Sequence, residues 1–159
     1  CEKNLSEETE TWQWKYIIKD EKLGNSIFLF YDMKWDEAMK YSTSAGAQGI
    51  CPSGWHIPTI SEYQALASSV SNDGNALKAV GQGSDVGAGT NTSGFSGLLS
   101  GVRFYFSSFD YIGTYTSLWS SSEYNSAIGK YITLTSFNSN IMFEQWEKAN
   151  GFSVRCVKD

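Results

Sequence analysis

Residues able to do chemistry are sparse in this chain of 159, and most stand alone. His56 is the only histidine, so any Ser-His-acid relay would have to run through it. It sits in Cys51-Pro52-Ser53-Gly54-Trp55-His56-Ile57-Pro58-Thr59. Between Trp55 and Ile57 in that proline-flanked turn, a packed or hydrogen-bonded structural role is expected. Ser120-Ser121-Ser122-Glu123 lacks the glycines that flank the serine of a nucleophile elbow. Glu123 is expected as a buried, hydrogen-bonded carboxylate that fixes the loop after it. One histidine and one spare cysteine cannot build a zinc site. Asp73, Asp85 and Asp110 lie near loops. Calcium wants roughly six to eight oxygens converging on one point, so solvated or turn-forming acids are expected instead. No metal and no cofactor is anticipated. The segment 81–101 holds seven glycines, but no Gly-Lys-Ser/Thr follows and no phosphate loop is read there.

The cysteines bear on compartment. Cys51 and Cys156 are able to pair, which would place the protein in an oxidising environment; the alternative is two buried free thiols. Cys1 is the odd one. A leading cysteine followed by the polar run 2–11 suits a processed lipoprotein, with lipid on Cys1 and 1–11 as a flexible tether. The alternative is an arbitrary boundary. Residues 12–159 are then one domain.

What remains is contact chemistry. Six Trp, nine Tyr and nine Phe give the chain ample bulky material. In the late part Tyr124, Tyr131, Phe143, Gln145 and Trp146 are candidate ligand contacts, with Phe137 and Met142 nearby. Exposed aromatics stack on sugar rings or anchor protein partners; the alternative is that half of them complete the core. A net charge of −5 argues against nucleic acid and against docking on anionic lipid by surface charge. Membrane association is expected only through Cys1, and the chain is expected to be a monomer.

These residues need elements to hold them. Trp12, Trp14 and Tyr16 alternate with polar residues and read as a strand. A second strand is expected over 27–31, and the two would make an early hairpin. Over 35–41, Trp35, Ala38 and Met39 share a helical face. Thr59 and Glu62 have capping-box spacing, opening a helix to about Val70 that buries Ile60, Tyr63, Leu66, Ala67 and Val70. The region 81–101 is irregular, anchored by Phe95, Leu98, Leu99 and Val102. Short strands are expected at 104–106, 117–120, 130–135, 141–146 and 152–157. Two helices early and a twisted antiparallel sheet of short strands late make an α+β domain with one long irregular loop region.

The blocks WDEAM (35–39), GICPSGWHIPT (49–59), GFSGLLSGVR (94–103), LWSSSEY (118–124) and GFSVRCVKD (151–159) resemble, in order and spacing, the Fibrobacter succinogenes major paralogous domain. The resemblance covers roughly 27–159, and 1–26 carry no block of it. It departs at Leu98-Leu99-Ser100-Gly101, where the family often has Leu-Pro-Gly-Gly. The resemblance implies a C-type lectin-like fold, in which a disulfide ties an early helical segment to the final strand, here Cys51 to Cys156. It implies secretion or surface display in bacteria. Calcium-dependent lectin motifs are not in the sequence. Ile57-Pro58-Thr59 is similar to a segment of formylglycine-generating enzymes, but that chemistry needs reactive late cysteines, and Cys156 is the only late one. The expected function is therefore a non-enzymatic, extracellular binding module. It would recognise a glycan or a protein through about 124–147, the alternatives being a structural or adhesive subunit of a surface assembly or, more remotely, a formylglycine-generating-type enzyme.

Overall fold

The computed structural model describes residues 29–106 and 109–159, with the backbone alone for 29–32. The expected tether, Cys1 and the strand at 12–18 lie outside the described residues. β1 (Leu29–Lys34) leads directly into α1 (Trp35–Ala38). That helix is a single turn: Tyr41 N–H reaches Asp36 O, and both Lys40 and Tyr41 have positive φ, which ends it. Trp35, Ala38 and Met39 are buried, as the spacing predicts.

β2 (Trp55–His56) follows, then α2 (Ile60–Ser69). Thr59 Oγ1 accepts from Glu62 N–H at 3.2 Å and the Glu62 carboxylate accepts from Thr59 N–H at 2.8 Å. This capping box satisfies donors that a helix start would otherwise leave free. Tyr63 and Ala67 are the fully buried face; Ile60, Leu66 and Val70 are half-buried. Two short 3-10 turns, Gly74–Ala76 and Asp85–Gly87, punctuate the glycine-rich region.

The remaining strands are β3 (Val102–Arg103), β4 (Phe109–Asp110), β5 (Tyr115–Glu123), β6 (Ile128–Thr135), β7 (Met142–Glu147), β8 (Gly151–Arg155) and β9 (Val157–Lys158). β8 is the hub. It pairs antiparallel with β1 and β3 and parallel with β5, while β5, β6 and β7 form an antiparallel meander. β2 and β9 make a separate two-stranded ribbon. The α+β class is as the sequence implies.

One expected strand is absent. Residues 104–106 leave the sheet after Arg103 and form a turn, with Tyr105 N–H donating to Asn150 Oδ1 at 3.2 Å. Three consecutive aromatics are as compatible with a turn as with a strand when their rings pack on one another rather than on a sheet face.

The main core lies where the two ends of the fold meet. The Cys51–Cys156 disulfide (2.06 Å) joins the loop before β2 to the residue between β8 and β9. Around it pack Trp35, Met39, Ile57, Trp119, Phe152 and Val154. Each core indole has a partner for its N–H: Trp35 Nε1 donates to Ser120 O and Trp119 Nε1 to Met33 O, both at 2.8 Å. Gly129 makes this possible, because a Cβ there would meet Trp35 Cδ1 at 2.7 Å and Trp119 Cζ3 at 3.1 Å.

Candidate functional site

Strand alternation decides which late side chains meet. β6 and β7 pair with Tyr131 opposite Glu144, Thr133 opposite Met142 and Gly129 opposite Trp146. Successive residues of a strand point to opposite faces. Tyr131, Thr133, Met142, Glu144 and Trp146 therefore share one face, joined from β5 by Tyr115 and Ser117. On that face lies a groove of about 370 Å³.

Its walls are aromatic. Phe104 stands 6.0 Å from Trp146 and 6.2 Å from Tyr111; Tyr115 stands 5.2 Å from Tyr111 and 5.7 Å from Phe137. The last three of these pairs meet at 72–87°, so the rings form upright sides rather than one flat platform. Tyr111, Phe137 and Trp146 are each about half exposed (52, 50 and 46%). Phe106 and Tyr105 extend the aromatic rim beyond Phe104.

Its floor is polar and ordered. Thr133 Oγ1 donates to Glu144 Oε2 at 2.9 Å, and Ser117 Oγ lies 3.1 Å from Thr133 Oγ1. Thr133 has one hydroxyl proton and gives it to the carboxylate, so Ser117 must be the donor to Thr133. The Tyr131 hydroxyl also bonds Glu144. Three hydroxyls thus run toward one carboxylate. Burial, then the charge and hydrogen bond of Glu144, push the Tyr131 phenol well above its ordinary value, which keeps it a neutral donor. Among the described residues Glu144 is the only ionisable acid or base other than tyrosine on the lining, and no Lys, Arg or His among them lines it.

The far wall is set by a lysine that the sequence reading passed over. Lys78 is fully buried, and its ammonium donates to the carbonyls of Gly87, Thr135 (2.6 Å) and Asn138 (2.8 Å). It pins the end of β6 and the turn bearing Phe137 and Asn138. Burial lowers its pKa. At the opposite end of the sheet Lys148 pairs with Glu123 and lies 3.9 Å over the Trp35 ring, so Glu123 is hydrogen-bonded as expected but is half-buried and ties down the residue after β7 rather than the loop after itself.

The sequence-predicted contacts separate. Trp146 is on the groove wall and Tyr131 on its floor. Tyr131 is not a surface contact: it is 4% exposed, packed on Trp119 and Phe152 at 5.6 and 4.7 Å. Phe143 and Gln145 are exposed but lie on the opposite face of β7, paired with Ile132 and Lys130. Tyr124, 61% exposed, stands in the β5–β6 hairpin away from the groove lining. The groove residues that were missed, Phe104, Tyr111 and Tyr115, come from a stretch with six aromatics in 104–115. That density was the available signal.

His56 is structural. Its Nδ1 lies 2.6 Å from Asp159 Oδ1 and its Nε2 2.9 Å from Glu62 Oε1, so both ring nitrogens are engaged. Burial alone would lower its pKa, but the hydrogen bonds and charges of Asp159 and Glu62 together outweigh this and raise it. Asp73, one of the loop acids, caps the turn after it by accepting from Asn75 N–H at 2.9 Å. Among the described residues no group of three or more His, Cys, Asp or Glu is placed to hold a metal ion.

The family model of the Fibrobacter succinogenes major domain matches residues 2–158, so the match also takes in the leading residues in which no block was recognised. No curated protein and no solved structure matches the chain.

Proposed function

The chain belongs to the Fibrobacter succinogenes major domain family, and from that premise we propose that it is a non-enzymatic binding module whose aromatic groove takes a glycan. The carrying observation is the combination of upright aromatic walls with a directed row of hydroxyls ending on a carboxylate. Sugars offer both an apolar C–H face for rings and hydroxyls for such a row. The volume suits a small unit of a chain rather than a protein surface, since small-ligand sites run from about 300 to 1,000 Å³ whereas protein interfaces need about 800 Å² per partner. This reading puts the site on a face built jointly by 102–117 and 131–152, in place of the expected 124–147.

The finer fold reading is a C-type lectin-like one. It is supported by the disulfide that ties an early segment to the last strands, and by the β2–β9 ribbon beside it. Display outside the cell is supported by the same disulfide, because such bonds persist in oxidising compartments. A catalytic reading is disfavoured by two engagements. His56 has both nitrogens on carboxylates, and Cys156, the late cysteine that formylglycine-type chemistry would need, is bonded to Cys51.

The test is a glycan screen followed by titration calorimetry on the wild type, Trp146→Ala and Phe137→Ala. Binding that both substitutions abolish, with melting temperature preserved, supports the groove. Binding that survives both places the site elsewhere. A second reading, a structural subunit, is favoured by β7 standing at the end of the sheet order. Concentration-dependent assembly in sedimentation that substitutions on β7 remove would select it.

A further inference from the structure

We infer that the groove selects a glycan bearing a free, protonated amine, a hexosamine that is not acetylated, over neutral and acidic sugars. This rests on the glycan reading above and names its class. Three observations carry it. First, Glu144 is the single carboxylate on the lining among the described residues, and no cation of the described lining is paired with it. Thr133 and Tyr131 donate to it from within the fold, which fixes its orientation. A carboxylate has roughly four lone-pair sites, so two remain for a ligand. An ammonium fills such sites with charge-assisted bonds, which are about twice as strong as neutral ones. Second, the rings meet at 72–87°. A flat pyranose can lie parallel to only one of them. A compact cation needs only one free ring face, so walls that offer no flat platform favour an ammonium over a second stacked sugar face. Third, with no Lys, Arg or His on the described lining, a uronate or sulfated sugar would bring its charge beside Glu144 with no counter-charge.

The experiment measures affinity for four probes: a chitosan oligomer, the fully N-acetylated chitin oligomer of equal length, a cello-oligomer and a lysine oligopeptide. Expected is about tenfold tighter binding of chitosan than of chitin oligomer, a gap of the size that one cation–π and carboxylate contact supplies. Glu144→Gln should remove that gap, and so should a pH above the sugar amine's own pKa. Trp146→Ala should abolish binding of both oligomers. Equal affinity for the chitosan, chitin and cello-oligomers overturns the inference and leaves the glycan reading standing. No binding of any sugar, in wild type with a normal melt, overturns both. Lysine peptide bound as tightly as chitosan overturns the hexosamine assignment. Chitosan binding that survives Trp146→Ala overturns it as well, because attraction to an acidic protein at large would then explain the affinity.

Discussion

Two aromatic regions meet at Phe152, which belongs to the disulfide core and also lines the groove, and they use the same residue types in opposite ways. Around the disulfide, Trp35 and Trp119 are wholly buried, each N–H is satisfied by a carbonyl, and Gly129 removes the atoms that would hold the indoles off the backbone. Around the groove, Tyr111 meets Phe104 and Tyr115 edge to face, Phe137 meets Tyr115 the same way, Trp146 is tilted at 47° to Phe104, and Tyr111, Phe137 and Trp146 keep about half of their surface in water. The first region turns aromatic area into stability. The second withholds that area from the fold, as the proposed glycan contact requires. A ring's identity therefore says little about its role; what fixes the role is whether the strand face beneath it is covered by a second layer.

The comparison breaks first at the disulfide. The double variant Cys51→Ala/Cys156→Ala opens a loop of 105 residues' separation. The chain-entropy model gives about 4–5 kcal/mol, a fall of about 10–15 °C in melting temperature for a domain of this size. An unchanged melt would mean the core region is held by packing alone. Next comes Trp119→Ala, expected to cost about 3–5 kcal/mol because the vacated volume cannot collapse. Trp146→Ala, the same substitution across the divide, should stay within about 0.5 kcal/mol. Denaturant melts of the pair sharpen the contrast directly, and comparable losses would erase it. Lys78→Met is expected to cost about 1–3 kcal/mol, since three buried carbonyls lose their donor. It should also broaden the NMR signals of Phe137, which sits in the turn that Lys78 pins.

The smallest effect belongs to His56. Its pKa is raised above 6.5, so its contribution is complete below 6.5 and is lost as pH climbs through the folded value. Burial would raise Glu62, yet its bonds to Thr59 and His56 lower it below its ordinary 4.5. Its contribution is complete above 4.5 and lost as pH falls further. The two together are fullest between 4.5 and 6.5. The stability difference between wild type and His56→Gln should peak there at no more than about 1 kcal/mol, as for other exposed pairs. A difference independent of pH would remove the ion pairs from the account.

Much of the fold was legible because local rules decided it. Thr59 and Glu62 sit at capping-box spacing and form the box. Trp35, Ala38 and Met39 share one helical face and are buried together. The Cys51–Cys156 pair closes as the resemblance implied. Two things were not legible. Lys78 stands in an unpatterned stretch, and its burial depends on one carbonyl nine residues away and on two that are 57 and 60 residues away. The groove depends on Phe104 and Tyr111 crossing to Trp146, a long-range contact with no local signature. Part of the site was readable but misgrouped. A strand at 141–146 already places Trp146 and Glu144 on one face and Phe143 and Gln145 on the other, and period-two alternation applied strictly would have divided them.

The disulfide also has a mechanical meaning. Every residue that lines the groove, from Val102 to Phe152, lies between Cys51 and Cys156. A pull applied to the two flanks of the chain would be carried by sulfur from one to the other, bypassing the backbone between them. The segments outside the covalent ring would extend first. The groove walls would bear no tension along the chain, so the pull would leave the shape of the groove unchanged, and the proposed glycan could be held under shear.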